Sequence, residues 1–427
     1  MTPAVPRRPS GAPVRVPNVG SASIVGGALF AVLAPTPAAG SVLDLFGYGA
    51  RGVALAGAAA TSAEGHAAVY YNPAALGFER HRTFSLGYHH AVFDLELDGE
   101  AAEIRDAPAT LIGMGIPLPL GGFMTERLAL GAAFVVPFGS VLLAEVPRPG
   151  EPSFVLLQSR AQTVSLQLGG GLRVSETVSV GAGFIALAEL GGSIQVAPNE
   201  TGRIGSTVHD ELLADYAPTA GLLFRPGGGV VAAAVFRGES KATFDLPLDA
   251  DLGETFPLPV PPLSISGVAQ FDPRQVAFEI GGPVSGTPVR VAGGATWKQW
   301  SRFPNPIVYT ATRPGDAPQP GPAFGDTWVL RAGAEAVLPT GGLILSPRLG
   351  YAREPSPAPL QTGFHGYVDN HRHIVGLGLG VSWQTLRVDV GGQWHHLVAR
   401  DFERADGTRR RHDGEIFAWS ADLGVHL

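Results

Sequence analysis

The chain has 427 residues, 16% of them charged, with a net charge of −7 and a mean hydropathy of +0.17. It is poorer in charge than the ~25% usual for soluble domains, yet beyond its N-terminal leader it lacks the ~20 unbroken apolar residues of a membrane helix. A transmembrane β-barrel resolves that conflict, because alternation hides half of its apolarity. The absence of Cys excludes disulfides, thiolate metal sites and a cysteine nucleophile, and the mild negative charge argues against a nucleic-acid partner.

Residues 1–39 read as an export signal, with Arg7, Arg8 and Arg15 at the basic end, a short apolar run over 22–33, and Pro37-Ala38-Ala39 at the cut. Residues 40–80 read as a hatch, a plug inside the barrel. Its stretch 48–78 is rich in Gly and Ala, nearly free of large side chains until Val69, and closes on Asn72, Pro73 and Ala74. In that turn Asn can bond its own backbone two residues on, Pro fixes φ, and Ala keeps the bend slim.

Residues 81–427 read as the barrel. Strands are predicted over 82–93, 109–117, 127–138, 161–174, 178–190, 216–224, 230–244, 275–281, 289–303, 327–338, 343–351, 371–383, 386–399 and 416–427. That is an all-β, antiparallel barrel of about fourteen strands. Short turns at 175–177, 227–229, 339–342 and 384–385 alternate with long connections at 191–215, 245–273, 304–326, 354–370 and 400–414. Such barrels keep short turns on the periplasmic side and long loops outside.

The period-two pattern sets the faces. Arg331 and Glu335 share one side of their strand, and Arg387 and Asp389 one side of theirs. A charge facing lipid at mid-bilayer costs about 2–4 kcal/mol, so the charged side is the lumen. A soluble sandwich would invert the faces, but the export signal, low charge and loop asymmetry favour the membrane.

On the strand 289–303, Lys298, Trp300 and Arg302 fall on the lumen side and are ligand-binding candidates. A cation beside an aromatic could hold a ligand carboxylate while apolar walls hold the tail. Lys298 could equally pair with Glu279, Glu335 or Asp389 and serve only the barrel. A two-residue turn at Gln384-Thr385 would place His373 opposite His396, but both point outward, so no metal site is assigned. No GxSxG elbow or HExxH helix is present, and the chain is read as a non-enzyme without a cofactor.

Several segments resemble one family, the FadL/TodX outer-membrane transporters for hydrophobic compounds. Asn72-Pro73-Ala74 is similar to its NPA motif, LGAAFVVPFG over 130–139 to its third strand, and FRGESKATF over 236–244 to a later one. WKQWSRF over 297–303 looks like its W-x-x-W-S-x-F strand. Asp326-Thr327-Trp328, Leu349-Gly350-Tyr351 and Asp369-Asn370-His371-Arg372-His373 continue the order. Asn370 departs from the Asp frequent there, and Leu427 from a terminal aromatic. The resemblance implies a fourteen-stranded barrel with a hatch in which Asn72, Pro73 and Ala74 act as hinge or latch. It also implies passive uptake of long-chain fatty acids or similar compounds, with sideways release through the wall. The partners expected are a hydrophobic small molecule and outer-membrane lipids, with the chain a monomer. The alternatives are a general porin and a structural or assembly barrel without transport.

Overall fold

A computed structural model describes residues 41–138, 142–143, 152–157, 162–198, 204–250, 263–305, 321–360, 366–403 and 407–427. The predicted export signal and its cut lie outside the described residues. The hatch consists of three short helices, α1 (Val42–Phe46), α2 (Gly49–Ala54) and α3 (Ala67–Tyr71), followed by a 3-10 helix, Pro73–Phe78. None is long enough to be stable alone. Ser41 caps α1 by accepting the Asp44 N–H at 3.0 Å, and the remaining order comes from packing against the wall.

Among the described residues sixteen strands of eight residues or more follow: β1 (Thr83–Leu97), β2 (Ala109–Pro117), β3 (Leu128–Pro137), β4 (Ser165–Arg173), β5 (Val178–Pro198), β6 (Ile204–Gly227), β7 (Val230–Arg237), β8 (Ser240–Ala250), β9 (Leu263–Asp272), β10 (Gln275–Pro283), β11 (Val289–Lys298), β12 (Thr327–Ala336), β13 (Leu343–Glu354), β14 (Arg372–Trp383), β15 (Leu386–Glu403) and β16 (Arg409–His426). Fourteen of them form the wall. Each pairs antiparallel with its neighbour, β7 passes directly to β10, and β1 closes the ring on β16 from Thr83↔His426 to Leu97↔His412. A closed ladder leaves no backbone group to face lipid unpaired.

Alternation appears as burial. On β16, Phe417, Trp419 and Leu423 are about half exposed, while Ile416, Ala418 and Ser420 are buried against the interior. The apolar face therefore looks outward, the reverse of a soluble sandwich. Among the described residues no helix is long and apolar enough to cross a membrane; the crossing belongs to the strands.

The structure differs from the sequence expectation in several places. The predicted strand 230–244 is two strands, β7 and β8, with Gly238 and Glu239 between them, and the predicted loop 400–414 is largely the paired ends of β15 and β16, from Arg400↔His412 to Glu403↔Arg409. Residues 191–215, expected as a loop, are largely strand, because β5 and β6 pair from Val178↔Phe224 to Pro198↔Ile204. The Pro-rich stretch 245–273 contains the hairpin β8–β9, paired from Ser240↔Asp272 to Leu248↔Leu263. Pro247 lacks a donor but tolerates a strand, since only one ladder bond is lost. Finally, β11 ends at Lys298, and Trp300–Arg302 is a 3-10 turn rather than strand.

Candidate ligand cavity and hatch

Small residues on both surfaces bring the hatch backbone against the wall. At Gly181 on β5, a Cβ would run into Pro73 and the Ala74 nitrogen; at Gly391 on β15 it would strike the Ala50 carbonyl. Asn72, Pro73 and Ala74 are all buried. Asn72 Oδ1 accepts the Ala74 N–H at 3.0 Å, and Nδ2 donates to Ala60 O and to Leu222 O on β6, each at 3.2 Å. Ser179 Oγ on β5 donates to Ala74 O at 2.7 Å. One turn thus ties two parts of the hatch to two wall strands. Asn72→Ala strands buried carbonyls and should loosen the hatch by about 1–3 kcal/mol. Limited proteolysis of the hatch in detergent is the check; an unchanged cleavage rate would mean the turn holds nothing.

A second set of contacts is charged. Lys298 Nζ is fully buried and donates to Asp44 Oδ2 in α1 at 2.7 Å and to Glu354 Oε1 at 2.8 Å. Arg372 lies 3.5 Å from the same Glu354 oxygen, so two cations meet two carboxylates. Arg51 of α2 grips Glu335 through both carboxylate oxygens, at 3.0 and 2.7 Å. Glu335 in turn accepts from Arg348, which continues to Asp389 and Arg387. Asp422 accepts the Ala50 N–H at 2.6 Å, and Glu279 accepts the Thr61 N–H and hydroxyl at 2.7 Å. The lumen charges inferred from alternation are therefore largely used to hold the hatch.

This separates the three ligand candidates. Lys298 faces the lumen but pairs with Asp44 and Glu354, neither of which is Glu279, Glu335 or Asp389. Trp300 is buried on the 3-10 turn with Phe271 and Phe303, at centroid distances of 6.2 and 6.1 Å. Arg302 is half exposed and bonds Glu239 at 2.6 Å. The turn after Lys298 breaks the alternation, so the three do not share a face. His373 does stand opposite His396. His373 meets the Tyr351 hydroxyl at 2.8 Å and His396 lies 3.8 Å from Glu415, and no metal-binding group occurs among the described residues.

Two adjoining cavities lie on the long-loop side of the hatch. The first is bordered by Leu43, Phe46, Ala60, Tyr70, Tyr71 and Val235, with Glu279, Arg331 and Glu354 on its polar side. The second is bordered by Ala109, Val135, Pro137, Ile185 and Leu187. Leu43, Asp44, Tyr70, Arg237 and Gln275 border both. The Arg237 guanidinium lies 4.0 Å over the Tyr70 ring, has no ion pair among the described residues, and buries its Nε without a partner. Sequence alone missed Asp44, Glu354, Tyr70, Tyr71 and Arg237. The inward parity of Glu354 and Arg237 was available, but their contacts with the hatch span positions that no local pattern links.

Over residues 29–225 the sequence matches the family described as Outer membrane protein transport protein (OMPP1/FadL/TodX). It is a FadL/TodX-type barrel. Alkane uptake protein A of Marinobacter nauticus is 25% identical over 393 residues, covering 84% of this chain and 83% of that protein. Among solved structures, a Pseudomonas aeruginosa FadL homologue superposes with a TM-score of 0.59 at 15% identity, covering 91% of this chain and 99% of that one. The P. putida toluene transporter TodX gives 0.53 at 14%, covering 90% and 99%. The Ralstonia pickettii toluene transporter TbuX also gives 0.53 at 14%, covering 89% and 99%. The structural likenesses establish the fold. With the lipid-facing apolar belt, the family match places this FadL/TodX-type barrel in the outer membrane.

Proposed function

We propose that the chain carries a small hydrophobic compound passively across the outer membrane, admitting it to the two joined cavities above a closed hatch. The observation that carries this reading is the cavity lining: the second chamber is mainly apolar, with Val135, Ile185 and Leu187, while in the first Leu43, Phe46, Tyr70 and Val235 face polar Asp44, Glu279, Arg331 and Glu354. Apolar surface of this kind favours a ligand by about 25 cal/mol per Å² buried. The names of the relatives, an alkane uptake protein and toluene transporters, support the same class. The chain acts as a monomer among outer-membrane lipids, exported by residues 1–39 with 40–80 as hatch and 81–427 as barrel. Its family consists of transport proteins, and no catalytic step is assigned.

Lys298, already held by two carboxylates, does not suit a ligand head group. Arg237 does: it faces both chambers and lacks a counter-ion among the described residues. A compound with one acidic end and an apolar tail therefore fits as well as a hydrocarbon. Binding of hexadecane and of palmitate to purified protein tests this. Arg237→Gln should weaken palmitate about tenfold or more, the scale of a charge-assisted hydrogen bond, and leave hexadecane unchanged. Failure of both compounds to bind the unaltered protein would overturn the function. A general porin is disfavoured by the contacts that fasten the hatch to the wall on several sides.

A further inference from the structure

The outer face of the barrel carries a charged row at its long-loop end. Arg353 on β13 stands opposite His373 on β14, and His373 stands opposite His396 on β15. Alternation turns these side chains away from the lumen, since Ala352, Ile374 and Leu397 beside them in the chain are buried. His373 meets the Tyr351 hydroxyl at 2.8 Å. His371, just before β14, is exposed, and its Nδ1 accepts the Ser356 N–H at 2.9 Å. That bond leaves the proton of His371 on Nε2, as a donor.

The row changes sign around the ring. Glu354, next to Arg353, turns inward to Lys298 and Arg372, which leaves Arg353 without an ion pair among the described residues. Asp369, two positions before His371, is buried. Arg400 adds a positive charge nearby, tied to Ser356 Oγ and the Asp369 carbonyl, each at 2.8 Å. Farther round, Glu415 lies 3.8 Å from His396 and stands opposite Asp94 on β1. The cationic part therefore belongs to β13 and the start of β14. Partial burial, with Arg400, Arg353 and His373 close by, holds His371 below its ordinary pKa. Like charges gathered in this way repel, and an anion seated among them relieves the repulsion.

The wall around and below this cluster is apolar. Leu330 on β12 stands opposite Arg353, and Leu349 opposite Leu377; all three leucines are more than half exposed. Trp328, Tyr351 and Trp394, also exposed, mark the upper edge of the belt, because such rings sit at head-group level in membrane barrels. We propose that Arg353, His371 and His373 bind the phosphate of an outer-leaflet lipid, whose acyl chains lie over Leu330, Leu349 and Leu377. A guanidinium fork suits phosphate oxygens, and the leucines supply the chain contacts that a free phosphate ion would leave unused. The site lies on the lipid face and is separate from the lumen chambers of the proposed uptake.

Whole protein in a neutral detergent is titrated with lipid A, with lipid A stripped of its phosphates, and with inorganic phosphate. Native mass spectrometry counts what stays bound. Lipid A should bind, and the stripped lipid should bind about tenfold or more weakly, the scale of a charge-assisted hydrogen bond. Inorganic phosphate should bind more weakly than lipid A. The double variant R353Q/H373Q should weaken lipid A about tenfold or more and leave the stripped lipid unchanged. Both side chains face out from the wall, so an unchanged β-sheet circular dichroism spectrum separates lost binding from lost fold. Arg82→Gln, at the short-turn end, is the control and should change nothing. Equal binding of the two lipids, or lipid A binding indifferent to the double variant, overturns the site. An equal loss from Arg82→Gln overturns it too, as general adsorption to positive charge. Inorganic phosphate binding as tightly as lipid A overturns the assignment to a lipid.

Discussion

Deleting residues 40–76 should turn the chain into an open, steadily conducting pore with its strands intact. The segment fills the lumen, and its removal frees Glu279, Glu335, Lys298 and Asp422 from the partners that now cover them. These groups would hydrate in a widened channel lined with charge. The wall should persist, because its ladders join strand to strand, with β1 closing on β16. Planar-bilayer recording should show no steady channel for the full protein and a porin-like conductance for the deletion. An equally large conductance from both would mean that the hatch does not close the barrel. Unchanged ligand uptake by the deletion would favour a structural or assembly role.

Lys298→Met should be the most damaging single substitution in the lumen. It leaves Asp44 without its cation and Glu354 with Arg372 alone, both carboxylates being buried. Removing one partner of a buried ion pair costs about 3–5 kcal/mol. The loss falls on the joint between α1 and the wall, so the hatch should release before the barrel unfolds. Protease cleavage near Asp44 should accelerate by two orders of magnitude or more, at roughly 1.4 kcal/mol per tenfold, with the barrel's β-sheet circular dichroism unchanged. The double variant D44L/K298M replaces the pair with apolar groups and should recover much of the loss. If the double variant is as damaged as the single, Lys298 supports the fold by packing and not by charge.

Much of the wall was legible because a membrane barrel writes a period of two into every strand. The faces of the segments at Leu330, Leu386 and Phe417 follow from that rule alone. Strand ends were less legible. Upper β5 and β6 and the hairpin β8–β9 are stabilised by partners distant in sequence, so their Pro and charged residues suggested loops. The opposite error occurred at Trp300: continued alternation suggested strand, but the chain turns just after Lys298. The hatch was visible as the stretch of small residues that does not alternate. Its contacts were not visible, because Lys298 meets Asp44 across 254 positions and Asn72 meets Leu222 across 150. The ligand chamber depends on the same long-range juxtapositions, and Arg237 and Tyr71 acquire meaning only once the hatch is seated inside the ring.

Selective passage of hydrophobic compounds through a closed barrel is tested most directly by uptake into outer-membrane-bearing cells that lack other routes for such compounds, with and without this chain. The chain should accelerate uptake of hexadecane or palmitate, saturably, while entry of a small sugar stays at the background rate. Equal acceleration of the sugar, or no acceleration of either hydrophobic compound, would contradict it.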